Sequence, residues 1–170
     1  MEKNIDQFER QLSWIATTPG FEIRDGMDIV ASMQMKGPFG SSGTLQYRDR
    51  SWTYKRVGFF KNSIQVCDLE DDVQAAIFEK IAFNSNGMIT TARGTQYKVI
   101  RNADLSRYQV ALEGRCILEY QMQEVKKRDY FVNLTTGVAE MEEFPVLLVL
   151  TGCVVMLQHI DTKYAAPTYV

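Results

Sequence analysis

The stretch FPVLLVLTGCVVMLQHI, Phe144 to Ile160, constrains the fold of this chain more than any other. Phe144 to Leu157 carries no charge; Glu142 and Glu143 precede it, and Gln158, His159 and Asp161 follow. A helix needs about 20 apolar residues to span a bilayer, whereas a run of about 10–14 is more often a buried core helix. Lys/Arg anchors are missing on the N-terminal flank, which is acidic. Pro145 suits the first turn of a helix, and Glu142 and Glu143 suit the positive end of its dipole. A wholly apolar run has no periodicity to separate helix from strand, so a buried strand pair stays open. Length and the N-terminal signals favour a buried helix over 145–160. Only Thr151 and the small Gly152 interrupt its apolar surface, and a helix that is hydrophobic all round must be enclosed on all sides. The rest of the chain has to supply the enclosure.

From Thr44 to Leu134 it supplies short strands. TLQYRDR, SWTYKRV, SIQVCDL, VQAAIFEK, MITTA, TQYKVIR, RYQVAL, CILEYQMQ and YFVNLT are rich in β-branched and aromatic residues and often alternate. KNS, EDD, NSNG, RG, NADLS and EG separate them as turns, with ALEGRC and LEDDV reading as tight hairpins. No helical period interrupts the series, so the strands pair mainly antiparallel, as a sandwich or barrel. A weak internal repeat aligns TYKRVGFFKNSIQVCDLEDDVQAAI with QYKVIRNADLSRYQVALEGRCIL, placing Gln65-Val66 over Gln109-Val110. Closing a sheet around an apolar helix removes exposed strand edges and encloses the helix together. Upstream, Ile5, Phe8, Leu12 and Ile15 recur at helical spacing among charged residues. This predicts a short amphipathic helix that stops at the Thr17–Gly20 break. The segment 21–43 is legible either as a strand and a helix or as two strands.

The expected fold is therefore mainly β (α+β): one domain over 1–170, with an N-terminal helix and linker at 1–20, barrel strands at 44–134 and a central helix at 145–160. A chain of 170 residues with 45% apolar and 24% charged residues suits one globular domain. The net charge of −2 gives no long-range attraction to nucleic acid or to an anionic membrane, and no nucleic-acid partner is expected. The polar start MEKNIDQFERQL reads neither as a secretory signal nor as a transit peptide. Cys67, Cys116 and Cys153 are widely spaced and odd in number, which suits reduced thiols and a cytoplasmic protein.

Two stretches carry a family resemblance. FFKNSIQVCDLEDDVQAAIFEKIAFNSNGMI looks like the strand, Asp, acidic turn, strand unit of the tubby C-terminal-like superfamily. EEFPVLLVLTGCVVMLQHI resembles the central helix of that superfamily, which includes LURP-one-related and phospholipid-scramblase branches. The similarity runs from about Thr44 to Ile160 and is one of element order and burial, without a short diagnostic motif. It implies a closed barrel around a hydrophobic helix. The plan of that superfamily has about twelve strands against the nine legible here, and the others would come from Phe21–Met35 or the ambiguous turns. Tubby proteins bind phosphoinositide head groups through basic side chains on the barrel wall, and scramblases are linked to lipid movement. No Lys/Arg motif here matches the tubby lipid site residue by residue, and fold does not carry function by itself.

Among candidate sites, KKRDY offers the one dense basic cluster. Lys126, Lys127 and Arg128 could hold a phosphate or an anionic head group, although a solvated hairpin turn is the plainer reading. Lys55 and Arg56, with Lys61, make a thinner second patch. Glu70, Asp71 and Asp72 lack the alternation and the central Gly of a calcium loop and read as a charged hairpin tip. His159 is the one histidine, placed at a helix C-terminus, where a dipole partner is a commoner role than an acid–base catalyst. One His and no Cys pair leave a zinc site improbable. No phosphate-loop, dinucleotide or nucleophile-elbow motif occurs, so no catalytic residue and no cofactor is assigned. Trp52, Tyr54, Phe59, Phe60, Tyr97 and Tyr108 read as core and hairpin packing rather than base-stacking platforms. The expectation is a non-enzymatic barrel that binds an anionic lipid head group, a small ligand or a protein partner. The alternatives are a small acidic adaptor or chaperone-like module docking through the N-terminal helix, and a membrane-attached scramblase-like protein.

Overall fold

The computed structural model describes residues 8–58, 62–81, 86–102, 107–125 and 127–165; the side chains of 123–129 and 162–165 lie outside that description. Twelve strands follow in order: β1 Phe8–Thr17, β2 Gly20–Asp25, β3 Asp28–Lys36, β4 Ser42–Tyr47, β5 Arg50–Val57 and β6 Ser63–Asp68, then β7 Gln74–Lys80, β8 Gly87–Thr91, β9 Gln96–Arg101, β10 Arg107–Leu112, β11 Arg115–Val125 and β12 Lys127–Thr135. Among the described residues one α-helix, α1, spans Phe144–Ala165. Each strand pairs antiparallel with the next, and β1 closes the ring by pairing with β12. A barrel of about eight strands is filled by its own side chains; a wider one leaves room for a helix some 10–12 Å across. Here α1 fills that space. From Val146 to Leu157 no residue is more than 9% exposed, as the enclosed-helix reading requires.

The barrel wall supplies large inward side chains to meet the helix. Phe21, Trp52, Tyr54, Tyr97, Tyr108 and Tyr120 are all at most 2% exposed. Most of their hydroxyls have partners: Tyr120 donates to the Leu148 carbonyl at 2.6 Å, Tyr97 to the Glu143 carboxylate at 2.8 Å and Tyr54 to the Gly40 carbonyl at 3.3 Å. Burial pushes these three phenols above their ordinary value, and that of Tyr108 up to about 12, so all four stay protonated and the three bonded ones act as donors. By length and composition α1 could cross a membrane, but 67% of its apolar window is buried inside this protein.

All nine strands expected between Thr44 and Leu134 are present, and β2 and β3 resolve the ambiguous 21–43 as two strands. The expected N-terminal helix is not formed: Phe8–Thr17 is strand β1. Its inward residues are Leu12 and Trp14, at alternate positions, while Ile15 faces outward at 42% exposure and Ile5 lies outside the described residues. A helix shorter than about 12–15 residues is marginal by itself. Main-chain pairing with β12 on one side and β2 on the other, which closes the barrel, overrides the helical spacing. The weak repeat has a structural counterpart: register shifts fall directly after its aligned valines, at Val66/Cys67 and at Val110/Ala111.

Candidate functional site

In a closed antiparallel meander, successive connections alternate between the two ends of the barrel. The ends are identified by the helix. Tyr97, at the start of β9, meets Glu143, and Arg93 pairs with Glu142, so the β4–β5, β6–β7, β8–β9 and β10–β11 turns surround the helix N-terminus. Gly40 lies against Leu157, Arg56 pairs with Asp161 and Arg101 donates to Gln158, so the β3–β4 turn and the strand ends at Val57, Ser63, Lys80, Gly87, Arg101, Arg107, Val125 and Lys127 lie toward its C-terminus. Charge divides along the same axis. Asp25, Asp28, Asp49, Glu70, Asp71 and Glu113 occupy turns at the helix N-terminal end, with Arg48, Arg50, Arg93 and Arg115 among them, so carboxylates are in excess there. Lys36, Lys55, Lys80 and Arg107 are exposed at the other end, and Lys127 and Arg128 open β12 there.

On the outer wall at the basic end lies a groove of about 290 Å³, lined among others by Lys36, Ser42, Thr44, Thr53, Lys55, Gln65, Cys67 and Asp72. Strand register explains its shape. Lys36 pairs with Ser42, Ser42 with Lys55 and Lys55 with Gln65, which makes one outward row across β3 to β6. Gln34, Thr44, Thr53 and Cys67 form the next row. Short hydroxyl side chains at the centre, between longer ones at the margins, leave a depression with an ammonium group on each side. Beneath it β3 and β4 are drawn tight: a Cβ on Gly43 would meet the Gln34 carbonyl oxygen at 2.2 Å and the Tyr54 ring at 2.6 Å. The Ser42 hydroxyl donates to the Lys36 carbonyl at 3.2 Å and fixes the rim. Asp72, in the turn toward the acidic end, closes the far side; together with partial desolvation, which dominates, its charge raises the Cys67 thiol above its ordinary value.

A larger groove of about 370 Å³ lies alongside, over β2 to β4. Its charge is mixed: Glu22 accepts from Arg24 at 2.6 Å, and Arg48 and the half-exposed Ile29 complete the lining. It has no paired cations, so the smaller groove is the better candidate for an anion.

The residues singled out in the sequence fare differently. Lys55 stands on the groove. Arg56, one position on, faces inward and closes the barrel beneath the helix: both its terminal nitrogens donate to the Asp161 carboxylate, at 2.9 and 2.5 Å. That bond holds the guanidinium above its ordinary value and keeps Arg56 from serving a ligand. Lys127 and Arg128 pair with Val125 and Glu124 at the root of the β11–β12 hairpin; Lys126 and Lys61 lie outside the described residues. His159 uses its Nδ1–H to donate to the Val155 carbonyl at 2.9 Å. Burial and nearby Arg101 lower its affinity for a proton below the ordinary 6.5, so it is neutral at pH 7. Asp68 and Asp71 accept from the Glu70 and Val73 backbone N–H groups and so shape their own turn. Among the described residues no three His, Cys, Asp or Glu side chains gather as a metal site. Lys36, Ser42, Thr44, Thr53 and Gln65 escaped the sequence reading, because only cross-strand register brings them beside Lys55.

Comparison with known proteins adds the fold. An X-ray structure of a protein from Arabidopsis thaliana superposes with a TM-score of 0.58 over 89% of this chain and 90% of that one, at 9% identity. The architecture is shared. At that identity nothing about activity follows. No protein-family model and no curated protein matches the sequence.

Proposed function

We propose that this is a non-enzymatic, cytoplasmic binding protein of the tubby-like barrel type, which takes a phosphate-bearing anionic head group in the groove between Lys36 and Lys55. One observation carries the reading: two exposed ammonium groups, brought from β3 and β5 by register, flank a row of hydroxyls on the basic end of a charge-divided barrel. Ammonium groups neutralise a phosphate and the Thr44 and Thr53 hydroxyls donate to its oxygens, Ser42 being engaged by the Lys36 carbonyl, while the groove's volume suits a small polar group. Strand β12 begins at the same end with Lys127 and Arg128 in its sequence, which adds basic charge to that end. The shared twelve-strand plan supports the tubby-like assignment, and three free cysteines suit a reducing compartment.

The test is sedimentation with vesicles of phosphatidylcholine alone, or with added phosphatidylserine or phosphatidylinositol bisphosphate, beside calorimetric titration with soluble inositol trisphosphate. A lysine near an anionic surface is worth about 1 kcal/mol, so losing the two charges weakens binding about thirtyfold, and Lys36→Glu/Lys55→Glu weakens it further. The variant Lys126→Glu/Lys127→Glu/Arg128→Glu lowers vesicle binding but spares the soluble head group. A folded wild-type protein that binds neither vesicles nor inositol trisphosphate would overturn the reading.

A further inference from the structure

The turn between β3 and β4, Lys36-Gly37-Pro38-Phe39-Gly40, runs on from Lys36 at the margin of that groove and carries a largely exposed aromatic side chain. Phe39 is 67% exposed, although its backbone sits in the left-handed region at φ 55, ψ 28. A bulky L-residue there costs about 1–2 kcal/mol, which is why such positions usually fall to Gly, Asn or Asp. So exposed a ring recovers little of that cost by burial. The conformation persists because its surroundings over-determine it, and such strain collects at functional positions.

The fastening is visible on both sides of Phe39. The Ser41 N–H donates to the Pro38 carbonyl at 3.1 Å, and the Arg56 N–H to the Ser41 carbonyl at 2.9 Å. The Gly40 carbonyl accepts from Tyr54, and Gly40 is pressed so close to the helix that a Cβ there would meet Leu157 at 2.7 Å and the Met35 sulfur at 3.0 Å. The turn is therefore rooted in the barrel core and the helix C-terminus, with Pro38 and Phe39 at its tip. Its position matters too. Lys36 is in the same turn, Lys55 lies across the groove, and Lys80 and Arg107 stand at the same end of the barrel. The other strongly exposed apolar side chains at hairpin tips, Met27, Leu69 and Val73, sit at the opposite end among aspartates and glutamates.

We infer that Phe39 is a membrane-interface anchor: the basic end of the barrel docks on an anionic bilayer, and the Phe39 ring enters the head-group/acyl boundary beside the bound head group. The inference rests on the head-group reading above and adds the geometry of docking. Charge complementarity selects the occupant. At the end that carries Phe39 the exposed Lys36, Lys55, Lys80 and Arg107 outnumber the exposed Glu79 and Asp161 among the described residues, which matches an anionic lipid surface, where apolar rings insert and cations stay with the head groups. A protein partner of standard size would ask for a contact patch of roughly 800 Å² on this chain, centred on several apolar side chains. The opposite end, where carboxylates outnumber arginines, is less attracted to the same surface, which favours this orientation.

Phe39→Asn tests the anchor without threatening the fold, because Asn tolerates the left-handed region. It is expected to lower partitioning into vesicles of equal parts phosphatidylcholine and phosphatidylserine by at least about tenfold and to leave inositol trisphosphate affinity unchanged. Phe39→Trp supplies a second readout. The emission of the introduced indole is expected to shift to the blue on vesicle addition and to be quenched by lipids brominated near the head group, while Trp14 and Trp52, at 3% and 1% exposure, stay silent. Wild-type partitioning by Phe39→Asn, or unchanged emission from Phe39→Trp protein that has sedimented with vesicles, would overturn the anchor and leave the groove reading standing. Failure of the wild-type protein to bind either probe would remove both.

Discussion

Replacing Gly152 by alanine tests whether the barrel wall closes on the helix. In an ordinary helix interior, alanine is favoured over glycine by roughly 0.5–1 kcal/mol. Gly152 is no ordinary position. A Cβ there would stand 2.6 Å from the Phe21 ring and 3.1 Å from the Tyr120 hydroxyl, inside the 3.4 Å where ordinary contact begins. Neither group can easily retreat. Phe21 is fully buried and packs on Trp14, with centroids 5.5 Å apart, and Trp14 is backed by Tyr130 at 4.8 Å; Tyr120 is held by its bond to Leu148. Overpacking a tight core costs about 1–3 kcal/mol, and two rigid neighbours met at once put this site in the upper half of that range. Gly152→Ala is therefore expected to destabilise the protein by about 1–2 kcal/mol net of the gain in helix propensity. Urea unfolding followed by tryptophan fluorescence measures it. In a Phe21→Leu background the same change is expected to cost less or become stabilising, since the two sites share one space. Stabilisation by about 1 kcal/mol in the wild-type background would refute the reasoning, because it would mean that the helix face is free.

Three further outcomes follow from buried groups. The Thr151 hydroxyl is fully buried without a hydrogen-bond partner among the described residues, so Thr151→Val is expected to raise stability by about 1 kcal/mol in the same assay; a loss of that size would reveal a hydroxyl partner. The neutral His159 ring binds a proton less readily folded than unfolded, so its contribution is intact above about pH 6.5 and is lost as pH falls below the unfolded value toward the folded one. As His159 is the one histidine in the chain, the decline of melting temperature between neutral and mildly acidic pH should flatten in His159→Gln, and an unchanged slope would contradict this. The Cys153 thiol is fully buried and pushed well above its ordinary value, whereas Cys116 is partly exposed. Iodoacetamide should therefore label Cys116 in the native protein and Cys153 only on unfolding, as mass spectrometry would read.

The sequence disclosed the fold where one signal spoke alone. From Thr44 to Leu134 β-branched and aromatic residues alternate between short polar turns, and every strand read there is present; Glu113-Gly114, with φ of 51° and 80°, forms the tight hairpin expected of ALEGRC. The run at Phe144 declared its burial because no charge breaks it and Thr151 is its one polar side chain before Gln158. β1 misled because Ile5, Phe8, Leu12 and Ile15 happen to recur at helical spacing, while only Leu12 and Trp14 carry the strand alternation. What decides that segment is pairing on both sides, with β2 next in sequence and with β12 more than a hundred residues away. The site was half legible for the same reason. Lys55 was visible as a basic residue, but its partner Lys36 is nineteen positions earlier in a segment with no clear pattern, and only the pairing of Ser42 with both makes them neighbours. Arg56 looked like the twin of Lys55; alternation turns it to the other face of the wall, onto Asp161.

Strand alternation thus divides one basic dipeptide between two tasks, a ligand-facing ammonium and a guanidinium that seals the barrel below the helix. The central claim is that the outward row from Lys36 to Gln65 receives an anionic head group. The most direct test follows backbone amide resonances during titration with inositol trisphosphate. The account expects saturable shifts concentrated at Lys36, Ser42, Thr44, Thr53, Lys55 and Gln65, abolished in Lys36→Glu/Lys55→Glu and absent from the acidic turns at the other end. Saturable shifts centred elsewhere, or none at any concentration, would contradict it.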